Sequence, residues 1–83
     1  MKVAIRYFAS VREALGTGET LELASGATVA AVRSALIERD EAHANVLNRT
    51  RAIRSALNQV LCNEAEVVVE GAEIGFFPPV TGG

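Results

Sequence analysis

Residues 28–36 read Thr-Val-Ala-Ala-Val-Arg-Ser-Ala-Leu and predict the helix around which the rest of the chain is arranged. Val29, Val32 and Leu36 recur at i, i+3 and i+7, which places them on one helix face, and Arg33 lies largely off that apolar stripe. Thr28 is a good N-cap because its hydroxyl can accept a hydrogen bond from an unpaired amide of the first turn. The stretch therefore predicts the main amphipathic helix.

The segments on either side of this helix have the period-two pattern of strands. On the N-terminal side, residues 2–8 alternate, with Val3, Ile5 and Tyr7 on one face and Phe8 on the other, and residues 20–23 form a return strand. On the C-terminal side the predicted strands are residues 52–57, 60–62 and 73–77, with a turn at Asn58-Gln59. This order predicts an α+β fold of the ubiquitin-like β-grasp type, with a mixed sheet of four to five strands packed on one main helix.

Two connecting segments carry weaker signals. Ser10-Val11-Arg12-Glu13 matches a capping box, so we expect a short helix that starts at Ser10 and ends near Gly16. Residues 41–50 show no firm period, and we expect a loop with at most one helical turn there. Residues 1–77 are predicted to form the folded domain and residues 78–83 an extended tail.

Composition and charge exclude several classes of function. The chain has 83 residues, 49% of them hydrophobic and 22% charged, which is typical of one soluble globular domain. Its net charge of −2 provides no basic stripe for nucleic acid, and no apolar run approaches the roughly 20 residues of a membrane helix. A single cysteine, Cys62, and the absence of a recognisable signal peptide favour a cytoplasmic location.

The polar and nucleophilic side chains form no recognisable catalytic or metal-binding set. His43 has no second histidine or cysteine to complete a metal site, and we expect a solvated loop residue. Cys62 lies in an apolar strand pattern and is expected to pack in the fold, because nothing nearby promises the electropositive setting of a reactive thiol. The chain is therefore not expected to be a self-sufficient enzyme or to bind a metal or cofactor itself.

The C-terminal tail differs from the rest of the sequence. Pro78 and Pro79 lack amide donors and favour an extended course, so the last strand must end before them. Gly82 and Gly83 have no Cβ atoms, which would let a narrow channel of a partner close around the backbone. A glycine-rich end can also be a frayed terminus, so this feature alone is weak evidence.

Both ends of the chain carry a resemblance to a known family. The ending Phe-Phe-Pro-Pro-Val-Thr-Gly-Gly, residues 76–83, resembles the most specific signature of the small, sulfur-carrier subunits of molybdopterin synthase. The block Tyr-Phe-Ala-Ser-Val-Arg-Glu, residues 7–13, with Gly16-Thr17 after it, resembles the first strand and helix of that family. Residues 56–61 and 71–73 also fit, whereas residues 40–51 fit loosely.

The resemblance implies a role for the Gly83 carboxylate. An ATP-dependent, ubiquitin-activating-like adenylyltransferase would adenylate it, and a sulfur donor system would convert the adenylate to a thiocarboxylate. The loaded tail would then enter the large subunit of molybdopterin synthase, within a heterotetramer, and give its sulfur to cyclic pyranopterin monophosphate. The product would be molybdopterin, and the large subunit would supply the catalytic side chains. This expectation requires Gly83 to be the true C-terminus.

Strand parity and the resemblance together predict a surface for the large subunit. Phe8 and Phe77 should face away from the main helix on neighbouring strands, with Leu61 as a third member of one exposed apolar patch. In a monomer a loop could instead cover them. The tail residues Pro78, Pro79, Val80 and Thr81 are expected to contact the same partner.

Three alternatives remain open from the sequence. A thiamine-pathway sulfur carrier would share the Gly-Gly end but usually lacks the Phe-Phe-Pro-Pro-Val-Thr run. A protein modifier would join Gly83 to a lysine through an isopeptide bond. A ubiquitin-like interaction module would have an inert tail and would bind its partner equally well without Gly82 and Gly83.

Overall fold

The computed structural model describes residues 1–79, and within that range five strands form one mixed sheet in the order β2-β1-β5-β3-β4. The elements in chain order are β1 Lys2–Tyr7, α1 Ala9–Leu15, β2 Gly18–Glu22, α2 Val29–Ile37, α3 Glu41–Leu47, β3 Arg54–Leu57, β4 Val60–Cys62 and β5 Glu73–Phe77. Strands β1 and β5 pair in parallel at the centre, while β1-β2, β3-β4 and β3-β5 are antiparallel. This is the strand order expected for the predicted α+β fold.

Helix α2 supplies the centre of the hydrophobic core, as its sequence predicts. The Thr28 hydroxyl accepts a hydrogen bond from the Ala31 amide at 3.2 Å, which caps the first turn. Val29, Val32 and Leu36 are fully buried and join a single core cluster with the inward side chains of β1 and β5. Each such side chain stabilises the fold by about 1.5–3 kcal/mol.

The predicted hairpin between β3 and β4 is confirmed. Asn58 and Gln59 have φ values of 50° and 70°, the left-handed conformation that a two-residue hairpin turn of this type demands. Asn58 also fixes the turn to the start of β5, because its amide donates to the Glu73 carbonyl at 2.8 Å and its side-chain oxygen accepts from the Glu73 amide at 2.9 Å. The turn therefore anchors the hairpin to the neighbouring strand.

Two local predictions are wrong. Helix α1 begins at Ala9, its N-cap is Phe8, and no side chain caps it, so Ser10 lies inside the helix and forms no capping box. The reason is that Phe8 is held in extended conformation by a hydrogen bond from its amide to the Phe76 carbonyl at 3.1 Å, and the chain turns at Ala9 with φ of 53°. Sheet pairing thus sets where this helix starts.

The second wrong prediction concerns the segment after the main helix. Residues Glu41–Leu47 form α3, where the sequence predicts a loop. Asp40 caps this helix by accepting a hydrogen bond from the His43 amide at 2.9 Å, and Leu47 is fully buried in the core. The capping bond and one buried leucine outweigh a short, polar sequence whose own helical tendency is weak.

Candidate functional site

The sheet brings the two ends of the chain together. Strands β1 and β5 are parallel, and Tyr7 is aligned with Phe76, so the residues that follow them, Phe8 and Phe77, lie at the same end of the two strands. Phe76 points into the core and is fully buried, whereas Phe77 has the opposite parity. The central parallel pair therefore places Phe8 and Phe77 side by side, next to the start of the tail.

Phe8 and Phe77 form an aromatic pair on the outer face of the sheet, the face opposite the buried core residues. Their ring centroids are 6.5 Å apart with an interplanar angle of 80°, an edge-to-face contact. Phe8 remains 42% exposed, which is unusual for a phenylalanine in a folded domain, and Phe77 is half-buried. We call this pair the aromatic patch.

A shallow cavity adjoins the aromatic patch. It has a volume of about 350 Å³ and is lined by Arg6, Phe8, Ala56, Gln59, Glu73 and Gly75. Arg6 and Glu73 approach to 3.6 Å at its wall, and about half of the Arg6 side chain is exposed. The outer face thus combines an apolar patch with a cation at its edge.

Leu61 lies on the same outer face, further from the sheet centre. It is aligned with Ala56 on β3, which is in turn aligned with Gly75 on β5, so these three residues form a row across the sheet. Leu61 is 59% exposed on the outermost strand. The structure therefore places Leu61 and the aromatic patch on one face of the sheet.

The tail begins immediately after the aromatic patch. Pro78 and Pro79 follow the last paired residue of β5 and are half-buried. The remaining predicted tail residues, Val80, Thr81, Gly82 and Gly83, lie outside the described residues. The described part of the candidate site therefore consists of the outer face of the sheet and the first two residues of the tail.

A cluster of charged residues around Glu19 was missed by the sequence analysis. The Tyr7 hydroxyl donates to Glu19 Oε2 at 2.6 Å, His43 Nε2 lies 2.7 Å from the same oxygen, and Arg39 pairs with Glu19 Oε1. His43 Nδ1 lies 2.7 Å from Asp40 Oδ1. His43 is thus a bridge between α3 and β2 with its side chain only 12% exposed, and the prediction of a solvated loop histidine is wrong.

These contacts shift the pKa values of His43, Glu19 and Tyr7. Burial lowers the pKa of His43, but hydrogen bonds to Asp40 and Glu19 outweigh it and hold the pKa above its ordinary value. Burial opposes ionisation of Glu19, yet hydrogen bonds from Tyr7 and His43 keep its pKa below the ordinary value. Burial, with the Glu19 contact, raises the pKa of Tyr7. The cluster therefore favours a protonated His43 between two carboxylates.

Arg33 is a second charged residue whose place the sequence did not indicate. It is only 4% exposed, and its guanidinium donates to the carbonyls of Leu47, Asn48 and Arg51 at 2.6–3.1 Å and to Glu64 Oε2 at 2.6 Å. Burial opposes ionisation of Glu64, but hydrogen bonds from Arg33 and Arg49 lower its pKa. These contacts fasten the C-terminal end of α3 to α2, so the role of Arg33 is structural.

The remaining polar side chains of residues 1–79 do not meet the requirements of a metal site. Within residues 1–79 no group of three histidine, cysteine or acidic side chains is placed to hold a metal ion. Cys62 packs against the edge of the core, as expected. No helix in that part of the chain is long and apolar enough to span a membrane. The outer face and the tail remain the candidate site.

Comparison with known proteins identifies the family to which this chain is similar. The ThiS family profile matches residues 5–83. The molybdopterin synthase sulfur carrier subunit of Escherichia coli is 36% identical over 81 residues, which cover 98% of this chain and 99% of that protein. SAMP1 from Haloferax volcanii superposes with a TM-score of 0.80 at 25% identity, with all of both chains covered.

A further solved structure supports the fold alone. It is a complex of subunits 1 and 2 of the molybdopterin-converting factor from Helicobacter pylori, in which the matching chain has a TM-score of 0.70 at 24% identity with full coverage of both chains. Together with the family match over nearly the whole sequence, these similarities establish that the chain is a member of the ThiS family with the ubiquitin-like β-grasp fold.

Proposed function

We propose that this chain is the sulfur-carrier subunit of a molybdopterin synthase. The observation that carries the proposal is its similarity, over almost the full length of both proteins, to the Escherichia coli subunit of that name. The sequence Phe-Phe-Pro-Pro-Val-Thr-Gly-Gly at residues 76–83 and the aromatic patch next to the start of the tail are consistent with it.

The proposed chemistry takes place at the Gly83 carboxylate. A carboxylate is a poor electrophile, so an ATP-dependent adenylyltransferase first converts it to a mixed anhydride with AMP and releases pyrophosphate. A sulfide-level nucleophile from the donor system then attacks the acyl carbon and expels AMP, which leaves a thiocarboxylate. The loaded tail delivers this sulfur to cyclic pyranopterin monophosphate in the large subunit, and two deliveries build the dithiolene of molybdopterin.

The proposal includes a large partner subunit. As the resemblance to the family implies, that subunit supplies the catalytic side chains within the proposed heterotetramer. The aromatic patch, Leu61, Pro78 and Pro79 are proposed to bind that subunit and to direct Val80 to Gly83 into it. The proposed setting is the cytoplasm.

The test of this proposal is the intact mass of the chain after incubation with ATP, a sulfur source and the cognate adenylyltransferase. A gain equal to the replacement of one oxygen atom by sulfur is expected for the chain ending at Gly83. The matched control is a chain lacking Gly83, which should fold normally and show no gain. Equal sulfur loading of the truncated chain would refute the proposed role of Gly83.

A second candidate function is that of a protein modifier. Its support is the structural similarity, at a TM-score of 0.80, to SAMP1, the small archaeal modifier protein 1 of Haloferax volcanii. In that case Gly83 would be joined to lysine side chains, and cells that express a tagged chain would accumulate high-mass conjugates dependent on Gly83. Their absence under conditions that load the thiocarboxylate would favour the sulfur carrier.

A further inference from the structure

Gly75 lies directly beneath the ring of Phe8. A Cβ atom built on Gly75 would lie 2.9 Å from Phe8 Cε2, closer than carbon atoms pack, so a side chain at this position requires the ring to shift. Gly75 is buried although it faces the outer side of the sheet, because Phe8 covers it. The absence of a side chain at residue 75 therefore lets Phe8 rest on the sheet.

Two other contacts hold Phe8 against β5. The Phe8 amide donates to the Phe76 carbonyl at 3.1 Å, which fixes its backbone against β5, and the Phe77 ring meets the Phe8 ring edge to face. The backbone of Phe8, one face of its ring and one edge of its ring are thus all in contact with β5, while 42% of the residue stays exposed. Gly75 is not among the residues with positive φ, so its backbone conformation does not itself require a glycine.

We propose that Gly75 is a positioning residue for partner docking, which sets the height and tilt of Phe8 on the aromatic patch. The inference rests on the proposed function, because it takes the patch to be the surface that binds the large subunit. A side chain at residue 75 would push Phe8 outward and reduce the shape complementarity between the aromatic patch and the surface of the large subunit.

The test is a double-mutant cycle read by affinity for the large subunit. Gly75→Ala and the bulkier Gly75→Val are each made in the unchanged chain and in Phe8→Ala, and unfolding by urea is measured alongside. In the unchanged background we expect weaker binding by about threefold or more, greater for valine than for alanine. In the Phe8→Ala background we expect no further loss.

Stability separates positioning from a structural effect. Replacing a glycine in a strand by alanine or valine restricts the unfolded chain, which offsets the cost of shifting the Phe8 ring, so resistance to urea should change little while affinity falls. If the Gly75 variants bind as well as the unchanged chain, or lose the same affinity with and without Phe8, the positioning role is overturned. Failure of the unchanged chain to bind the large subunit would instead refute the proposed function.

Discussion

Replacing the buried Arg33 by methionine should destabilise the domain without altering the outer face of the sheet. The guanidinium makes three hydrogen bonds to backbone carbonyls at the end of α3 and in the segment after it, and one to Glu64, while being only 4% exposed. Methionine fills the space of the aliphatic stem but leaves those carbonyls without a donor. Partial access of water reduces the loss, so we expect the free energy of unfolding to fall by about 3–5 kcal/mol.

Urea unfolding followed by circular dichroism measures this loss, which is large beside the roughly 4–12 kcal/mol expected for a domain of this size. Arg33→Lys keeps the charge but not the planar set of donors, so its free energy of unfolding should lie between those of the unchanged chain and Arg33→Met. The matched control is Arg49→Met, which also removes a partner of Glu64, but from a side chain that is 47% exposed. The control should lose about 1 kcal/mol or less. Equal stability of Arg33→Met and the control would refute the reasoning.

Three further predictions follow from other parts of the structure. Phe77→Asp should weaken binding of the large subunit by about tenfold or more, while the free energy of unfolding in urea changes little. Unchanged affinity in titration calorimetry would contradict the proposed binding of the large subunit by the aromatic patch. Thr28→Ala should lower the free energy of unfolding by about 1 kcal/mol through loss of the cap of α2, whereas Thr28→Ser should restore it. Because folding raises the pKa of His43, its contribution to stability should be complete below about pH 6.5 and be lost as pH rises through the raised value. His43→Gln should abolish that part of the dependence of the unfolding free energy on pH. An unchanged dependence on pH in this variant would show that the bridge contributes nothing.

The main elements could be predicted from sequence because their signals are local. The apolar spacing of α2, the Thr28 cap and the alternation in β1 and β5 each depend on residues close together in the chain. The turn at Asn58-Gln59 could be predicted because Asn tolerates the positive φ that such a turn requires. The same parity placed Phe8 and Phe77 on one face before any contact was known.

The remaining features depend on contacts between distant residues. Arg33 looks like a surface residue of an amphipathic helix, and only the fold brings the carbonyls of residues 47, 48 and 51 to it. His43 meets Glu19 across 24 residues of sequence, and α3 is stable because Leu47 is buried and Asp40 caps it. The seat of Phe8 on Gly75 is likewise a tertiary contact between the two ends of the chain.

The most direct test of the sulfur-carrier role is a single-turnover transfer from the loaded chain. The thiocarboxylated protein is purified and mixed with the large subunit and cyclic pyranopterin monophosphate, and its intact mass is followed over time. We predict that the mass returns to that of the carboxylate only when both are present, while the dithiolene product appears. A thiocarboxylate that persists in the complete mixture, with the large subunit active toward its own cognate carrier, would contradict the proposed function.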